Sequence, residues 1–102
     1  MAITIDTADN GVCVIKISGR LGLAHHLEFV QAYESIQGNA VTLDLSETLS
    51  LDSTGLGMLL AMREHLGGEK SSIEIINCTS RIVDILEIAH FSKLFCVRSI
   101  GS

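Results

Sequence analysis

The chain has 102 residues, a length that suits one compact domain. Apolar residues make up 47% of it and charged residues 19%, so the chain can bury a core and is not expected to be disordered. Twelve acidic against seven basic side chains give a net charge of −5, which lacks the basic footprint of nucleic-acid binding. The longest apolar run, residues 58–62, is far shorter than the ~20 residues that cross a membrane, so we expect no membrane insertion.

The amino terminus and the cysteines favour a reducing cytoplasm. No basic segment followed by an apolar stretch opens the chain, so the sequence predicts no secretory signal. The cysteines are odd in number and form no Cys-x-x-Cys pair, which argues against a disulfide framework. Cys13 lies in a strand run and Cys96 beside Phe95, and we expect these and Cys78 to be structural, buried thiols.

The first residues predict a hairpin. Residues 2–6 suit an edge strand, and Asp9-Asn10-Gly11 is typical of a turn between hairpin strands, because Asn and Gly tolerate positive φ. The β-branched apolar run over residues 12–17, ended by Ser18-Gly19, predicts a second strand. The two strands are therefore expected to pair antiparallel.

Helices and strands alternate after the hairpin. A helix is predicted over about residues 24–37, because one helical face collects Phe29, Val30, Tyr33 and Ile36. Residues 41–45 alternate in polarity and predict a third strand, and residues 46–51 are expected to form a loop. A second helix should then run from the segment 52–55 to residue 66, where two glycines end it.

The last third of the chain continues this alternation. Residues 73–76 predict a fourth strand and residues 95–97 a short last one. Between them, Thr79 or Ser80 can cap a third helix. Its apolar stripe consists of Ile82, Ile85, Leu86 and Ala89. The order of elements predicts one α/β domain over residues 1–102, with helices against a largely parallel or mixed sheet.

The sequence contains no arrangement typical of catalysis, metal binding or a cofactor. Gly55-Leu56-Gly57 resembles the beginning of a dinucleotide fingerprint, but Leu60 occupies its third glycine position. No two of the four histidines lie at i, i+4 spacing, and nothing in the sequence places one near Ser53 as a base. We therefore expect no catalytic residue, no metal and no cofactor, and the chain is predicted not to be an enzyme.

Residues 42–60 carry the most information. They predict a strand, a short loop, and a polar cap that runs directly into an apolar helix. Asp52 or Ser53 can cap that helix by accepting a hydrogen bond from an unpaired backbone N–H. A kinase could reach a hydroxyl at Ser53, and the positive end of the helix dipole would tolerate a phosphate there. The segment is therefore either a helix cap alone or a modification site that changes a surface without unfolding the domain.

The segment Asp52-Ser53-Thr54-Gly55-Leu56-Gly57, after a strand, resembles the signature of STAS domains, and in particular that of bacterial anti-sigma factor antagonists. The resemblance covers about residues 3–98, including Ile17-Ser18-Gly19-Arg20-Leu21 and the polar-capped helix from Ser80. It implies a small mixed sheet of about four to five strands, with helices packed mainly on one side. It also implies binding, with no catalysis by this chain.

The resemblance further implies a phosphorylation switch. In that family the serine after the motif's Asp is phosphorylated by a partner serine kinase, often the anti-sigma factor itself, and a PP2C-type phosphatase reverses the reaction. The corresponding residue is Ser53. Only the unphosphorylated form would bind the anti-sigma factor and so free the sigma factor. The expected partner-binding residues are Asp52, Thr54, Gly55, Leu56, Gly57, Met58, Arg20 and Gly22.

The chain departs from the family at the end of the second strand. Members commonly carry Gly-Glu-x-Asp there, whereas this chain has Arg20 and Gly22 in the acidic positions. The efficiency of phosphorylation and the choice of kinase therefore stay open. Arg20 is either a solvated strand end or a cation near the phosphate.

The second helix has one residue whose environment the spacing leaves open. A broad core face is predicted for Leu56, Leu59, Leu60 and Leu66. Met58 projects nearly opposite that face. It is therefore either an exposed partner contact, which a flexible thioether suits, or is covered by the neighbouring helix.

Two other functions are compatible with the same fold. The first is a STAS subunit of a lipid-transport ABC complex, which binds an ATPase without being phosphorylated. The second is an adaptor that regulates a signalling enzyme such as a diguanylate cyclase. The intact segment from Ser53 to Gly57 favours the anti-sigma factor antagonist, because the resemblance is closest there.

Overall fold

The computed structural model describes residues 2–100, which form a five-stranded mixed sheet and three α-helices. The strands are β1 (Ala2–Thr7), β2 (Cys13–Leu21), β3 (Ala40–Leu51), β4 (Ser72–Cys78) and β5 (Cys96–Ser99). Their order in the sheet follows their order in the chain. β1 is antiparallel to β2 and the other neighbours are parallel. The predicted α/β fold and the antiparallel hairpin are confirmed.

One α-helix connects each pair of parallel strands. The helices are α1 (His26–Glu34), α2 (Ser53–His65) and α3 (Ser80–Ile88). Thr79 caps α3, because its Oγ1 accepts a hydrogen bond of 3.4 Å from the backbone N–H of Ile82. α2 ends just before Gly67, whose φ of +112° lies in the left-handed region that favours glycine. None of the helices in residues 2–100 is long and apolar enough to cross a membrane.

The helices cover one face of the sheet and leave the other open. Along β3, Val41, Leu43 and Leu45 are buried, whereas Thr42 and Asp44 between them are partly exposed. Successive side chains of a strand point to opposite faces, so the buried set marks the face under the helices. The prediction that the helices pack mainly on one side is confirmed. The core between sheet and helices is mostly aliphatic, with Phe29 fully buried.

β3 is longer than predicted, because residues 46–51 form strand rather than loop. This second half of β3 pairs with the end of β2, which continues past Gly19 to Leu21. Thr48 is buried there, and its hydroxyl donates a hydrogen bond of 2.7 Å to the carbonyl oxygen of Ile17. Because this bond satisfies the buried Thr48 hydroxyl, the strand continues through a segment rich in polar residues.

The three cysteines lie in different environments. Cys78 is buried, Cys13 is half-buried, and Cys96 is exposed, so the prediction of a buried thiol is wrong for Cys96. Cys96 is the first residue of the edge strand β5, and its side chain shares the open face with Glu74 opposite it. Burial, with a smaller contribution from the Asp44 carboxylate, raises the pKa of the Cys78 thiol to about 11.

These environments predict different rates of alkylation. With iodoacetamide at about pH 8, we expect Cys96 to react in the folded protein and Cys78 to stay unmodified. A thiol with a pKa of about 11 is thiolate in only roughly one part in a thousand at that pH, and Cys78 is also covered by the core. Peptide mapping over time measures both rates, with the same reaction in denaturant as the control. Equal rates for the two cysteines in the folded protein would contradict this environment for Cys78.

Candidate functional site

The carboxyl ends of three neighbouring parallel strands meet at one edge of the sheet. β2 ends at Leu21 and β3 at Leu51, and these two residues lie opposite each other in the register. α2 begins two residues after β3 ends, and α3 begins two residues after β4 ends. Ligands of open α/β sheets commonly bind at this edge. The segment with the predicted site residues therefore lies where an α/β fold places functional groups.

Asp52, and not Ser53, is the residue that caps α2. Its Oδ1 accepts a hydrogen bond of 2.7 Å from the backbone N–H of Gly55, and its extended φ and ψ place it just outside the helix. The carbonyl oxygen of Asp52 accepts a further bond of 2.9 Å from the N–H of Leu56. Ser53 is the first helical residue, and its side chain is exposed. The cap leaves the Ser53 hydroxyl available to a partner.

Two buried glycines bring the end of β2 against the start of α2. A Cβ on Gly55 would overlap the carbonyl oxygen of Leu21, and a Cβ on Gly22 would lie 2.5 Å from Oδ2 of Asp52. The backbone N–H of Asp52 also lies 3.5 Å from the carbonyl oxygen of Leu21. Neither glycine has a positive φ, so close approach rather than backbone conformation requires the missing side chain. The two glycines shape the site from within and present no side chain to a partner.

The contact at Gly55 sets the rotation of α2. The face of α2 turned to the core consists of Gly55, Met58, Leu59 and Met62, and Leu66 just after the helix is also buried. The sequence left open whether Met58 is exposed to a partner or covered by the fold. Met58 is only 4% exposed, so it is covered, and the prediction of an exposed partner contact at Met58 is wrong. Leu60 is 39% exposed, and its assignment to the core face is also wrong. Leu56 is half-buried at the border.

The remaining site residues at the start of α2 face outward, and two exposed apolar side chains that the sequence did not single out follow the end of β2. Asp52, Thr54 and Gly57 are exposed, as is Ser53. Leu23 and Leu27 are 74% and 68% exposed, and Leu23 directly follows Gly22, which abuts Asp52. Leu23 and Leu27 are at i, i+4 spacing and out of phase with the core face of α1. This spacing could have predicted an exposed apolar pair from the sequence. We call the outward set Ser53, Thr54, Gly57, Leu23 and Leu27 the switch surface.

Arg20 is exposed near the end of β2, opposite Ser50 in the register. It lines an open depression at the carboxyl edge of the sheet together with Leu49, Ser50 and Arg81. Neither Ser53 nor Asp52 lines this depression. Arg20 therefore lies at the same edge of the sheet as the switch surface, but it lines a separate depression.

His25 and His26 lie between Leu23 and Leu27 in the chain, whereas His65 lies elsewhere. The ring of His65 packs on Tyr33 at a centroid distance of 5.3 Å, at the far end of α2 from Ser53. Within residues 2–100, no three His, Cys, Asp or Glu side chains come together in a way that could hold a metal ion.

Comparison with known proteins identifies the family. The sequence pattern of the family described as "Mlab, STAS domain" matches residues 4–97, nearly the whole chain. The chain belongs to the STAS-domain family. A STAS-domain containing protein of Pseudomonas aeruginosa is 41% identical to it over 98 residues, which cover 93% of this chain and 97% of that relative. The predicted family is therefore confirmed.

Solved structures of anti-sigma factor antagonists share the STAS fold of this chain. An antagonist from Mycobacterium paratuberculosis superposes with a TM-score of 0.82 at 24% identity, covering 95% of this chain and 84% of that one. The unphosphorylated form of SpoIIAA from Bacillus gives a TM-score of 0.73 at 13% identity, covering 94% and 87%. SpoIIAA has also been solved in its phosphorylated form. At these identities the likeness establishes the fold.

The close approach at Gly55 predicts a large effect of one methyl group on stability. Gly55→Ala should lower the free energy of unfolding by about 1–3 kcal/mol, because the methyl overlaps the Leu21 carbonyl oxygen and forces α2 outward. Gly57→Ala is the matched control, since it lies in the same helix with nothing within 4 Å of its Cβ. That change should raise the free energy of unfolding by about 0.5–1 kcal/mol through helix propensity. Urea unfolding followed by circular dichroism measures both, and equal effects would contradict the contact.

Proposed function

We propose that this STAS protein is an anti-sigma factor antagonist that is switched by phosphorylation of Ser53. In the unphosphorylated form it binds an anti-sigma factor through the switch surface and thereby frees a sigma factor. In the phosphorylated form it releases that partner. The observation that carries the proposal is the exposed Ser53 hydroxyl on a helix start that Asp52, Gly22 and Gly55 hold in place.

A phosphate on Ser53 would change charge without disturbing the fold. It adds about −1.5 to −2 charges at neutral pH, next to the positive end of the α2 dipole, where a negative charge is tolerated. The Asp52 cap bond to Gly55 does not involve the Ser53 hydroxyl, so the helix start stays intact after modification. The effect therefore falls on the surface that a partner would cover.

The switch surface has the composition of a protein contact. Leu23 and Leu27 supply exposed apolar area just after Gly22, which abuts the Asp52 cap, and Gly57 leaves space for close approach. A dianionic phosphate enclosed in such a contact, without a cation, loses its hydration. A cost of about 4 kcal/mol would weaken binding ~1,000-fold, enough to exchange bound for free protein in a cell.

Structures that share this fold support the assignment. The solved neighbours in this fold include anti-sigma factor antagonists, and SpoIIAA exists in both phosphorylation states. For this chain we propose a serine kinase that is the anti-sigma factor or its equivalent, a PP2C-type phosphatase that reverses the reaction, and action in the cytoplasm. The chain itself contributes the acceptor hydroxyl and a binding surface, and no catalysis is assigned to it. A diguanylate cyclase regulated through the same surface would extend this role.

The switch predicts opposite behaviour of two substitutions at Ser53. Ser53→Ala should retain the partner permanently, and Ser53→Asp should bind it roughly 100-fold to 1,000-fold more weakly, because a fixed charge enters the contact. Each variant is used as bait in the native cells, the recovered partner is identified by mass spectrometry, and its affinity is then measured by calorimetry. Peptide mapping across residues 51–63 of the wild-type protein should find one phosphate, on Ser53.

Two controls separate the switch from general effects of charge. Ser92→Asp adds the same charge at an exposed turn outside the switch surface, and should bind like wild type. Thr54→Ala tests whether the neighbouring exposed hydroxyl is a second acceptor. Equal affinity of Ser53→Ala and Ser53→Asp would contradict the switch. An ATPase as partner, with Ser53 unmodified under every growth condition, would instead support a subunit of a lipid-transport ABC complex.

A further inference from the structure

The open depression beside the switch surface is built by three separate parts of the chain. Arg20 comes from the end of β2, Leu49 and Ser50 from the end of β3, and Arg81 from the first turn of α3. The register passes from Thr48 opposite Gly19 to Ser50 opposite Arg20, so Leu49 is the extra residue of a bulge. We call this set of four residues the basic depression.

The basic depression concentrates positive charge on an acidic protein. Of the seven basic side chains, three have acidic partners among residues 2–100: Lys16 with Glu47 at 2.8 Å, Arg98 with Glu74 at 3.6 Å, and Arg63 with Glu64 at 3.7 Å. Within residues 2–100, neither Arg20 nor Arg81 forms an ion pair. Two guanidinium groups with no ion-pair partner among the described residues therefore line one depression of a chain whose net charge is −5.

The chemistry of the depression favours a protein segment as its occupant. Guanidinium groups donate paired hydrogen bonds that match the geometry of a carboxylate, and the Ser50 hydroxyl can donate a further one. Leu49 is 65% exposed in the same depression, and a small free anion gives it no apolar contact. An acidic peptide segment that also carries an apolar side chain satisfies both features. Arginine beside an apolar anchor is also typical of residues that dominate protein interfaces.

We propose that the basic depression docks an acidic segment of the protein partner, with carboxylates on Arg20 and Arg81 and an apolar side chain on Leu49. This inference rests on the proposed function, because the partner is the protein that the Ser53 switch binds. It adds the chemistry by which that partner is selected. Because both arginines are exposed, we expect them to affect mainly the rate at which the partner associates.

The position of the depression also connects docking to phosphorylation. Ser50 and Ser53 are three residues apart in the chain, so their Cα atoms are separated by at most about 11 Å. That distance is close to the ~8–10 Å over which charges act at physiological salt. A phosphate on Ser53 would therefore lie near the Ser50 side of the basic depression, where its negative charge opposes the docking of carboxylates.

The test compares association rates of the partner purified on the Ser53→Ala bait. The variants are Arg20→Gln, Arg81→Gln and the double substitution, and the matched controls are Lys70→Gln and Lys93→Gln, which remove the same charge from exposed positions outside the depression. At low ionic strength we expect the double variant to associate about tenfold more slowly, with a weaker salt dependence. The two lysine controls should associate like wild type. Urea unfolding checks that all variants keep the wild-type stability.

The outcomes separate this inference from the proposed function. If the double variant associates within twofold of wild type while Ser53→Ala and Ser53→Asp still differ, the docking inference is overturned and the switch stands. If the double variant is slow while the two Ser53 variants bind equally, docking is supported and the switch fails. If inorganic phosphate alone shifts the Nε–H signals of both arginines at micromolar concentration, and the double variant binds the partner normally, the depression is a phosphate site and the inference is overturned.

Discussion

The contact between the backbone of Gly55 and the carbonyl oxygen of Leu21 is the constraint on which the site depends. It allows the first turn of α2 to rest directly on the end of β2, with no side chain between them. The helix is thereby fixed in position and in rotation, with Met58, Leu59 and Met62 in the core. Ser53 points outward as a consequence of that packing, and its exposure does not depend on its own interactions.

Asp52 links this packing to the proposed chemistry. One carboxylate oxygen caps α2 and the other lies against Gly22, so the side chain holds both elements at the edge. A cap of this kind contributes about 1 kcal/mol, and it does so without using the serine beside it. Structural and regulatory tasks therefore belong to different residues. A modification at Ser53 can alter the surface charge while Asp52 keeps the helix start closed.

The sequence predicted the helices, strands and turns well where residues close together in the chain define them. It predicted less well which side chains are buried, because that depends on how the elements pack. The hairpin turn, the cap of α3 and the end of α2 follow from Asn, Thr and Gly at short range. α2 is apolar on nearly every side, so spacing alone could not choose between Met58 and Leu60 for the core. The Gly55 contact chooses, and it becomes visible only when β2 and α2 are placed together. Arg81 was missed for the same reason, because the depression joins three distant segments.

The structure also gives a physical explanation for the two positions, Arg20 and Gly22, at which this chain lacks the acidic residues common in the family. At residue 22 a Cβ would lie 2.5 Å from Oδ2 of Asp52, so in this structure the close approach of the two elements requires glycine. At residue 20 the charge is reversed, and Arg81 adds a second cation. A partner that presents cations to an acidic edge would be repelled here, and one that presents carboxylates would be attracted, since like charges across an interface cost several kcal/mol. On the proposed function, Arg20 and Arg81 together therefore favour a partner that presents carboxylates to this edge.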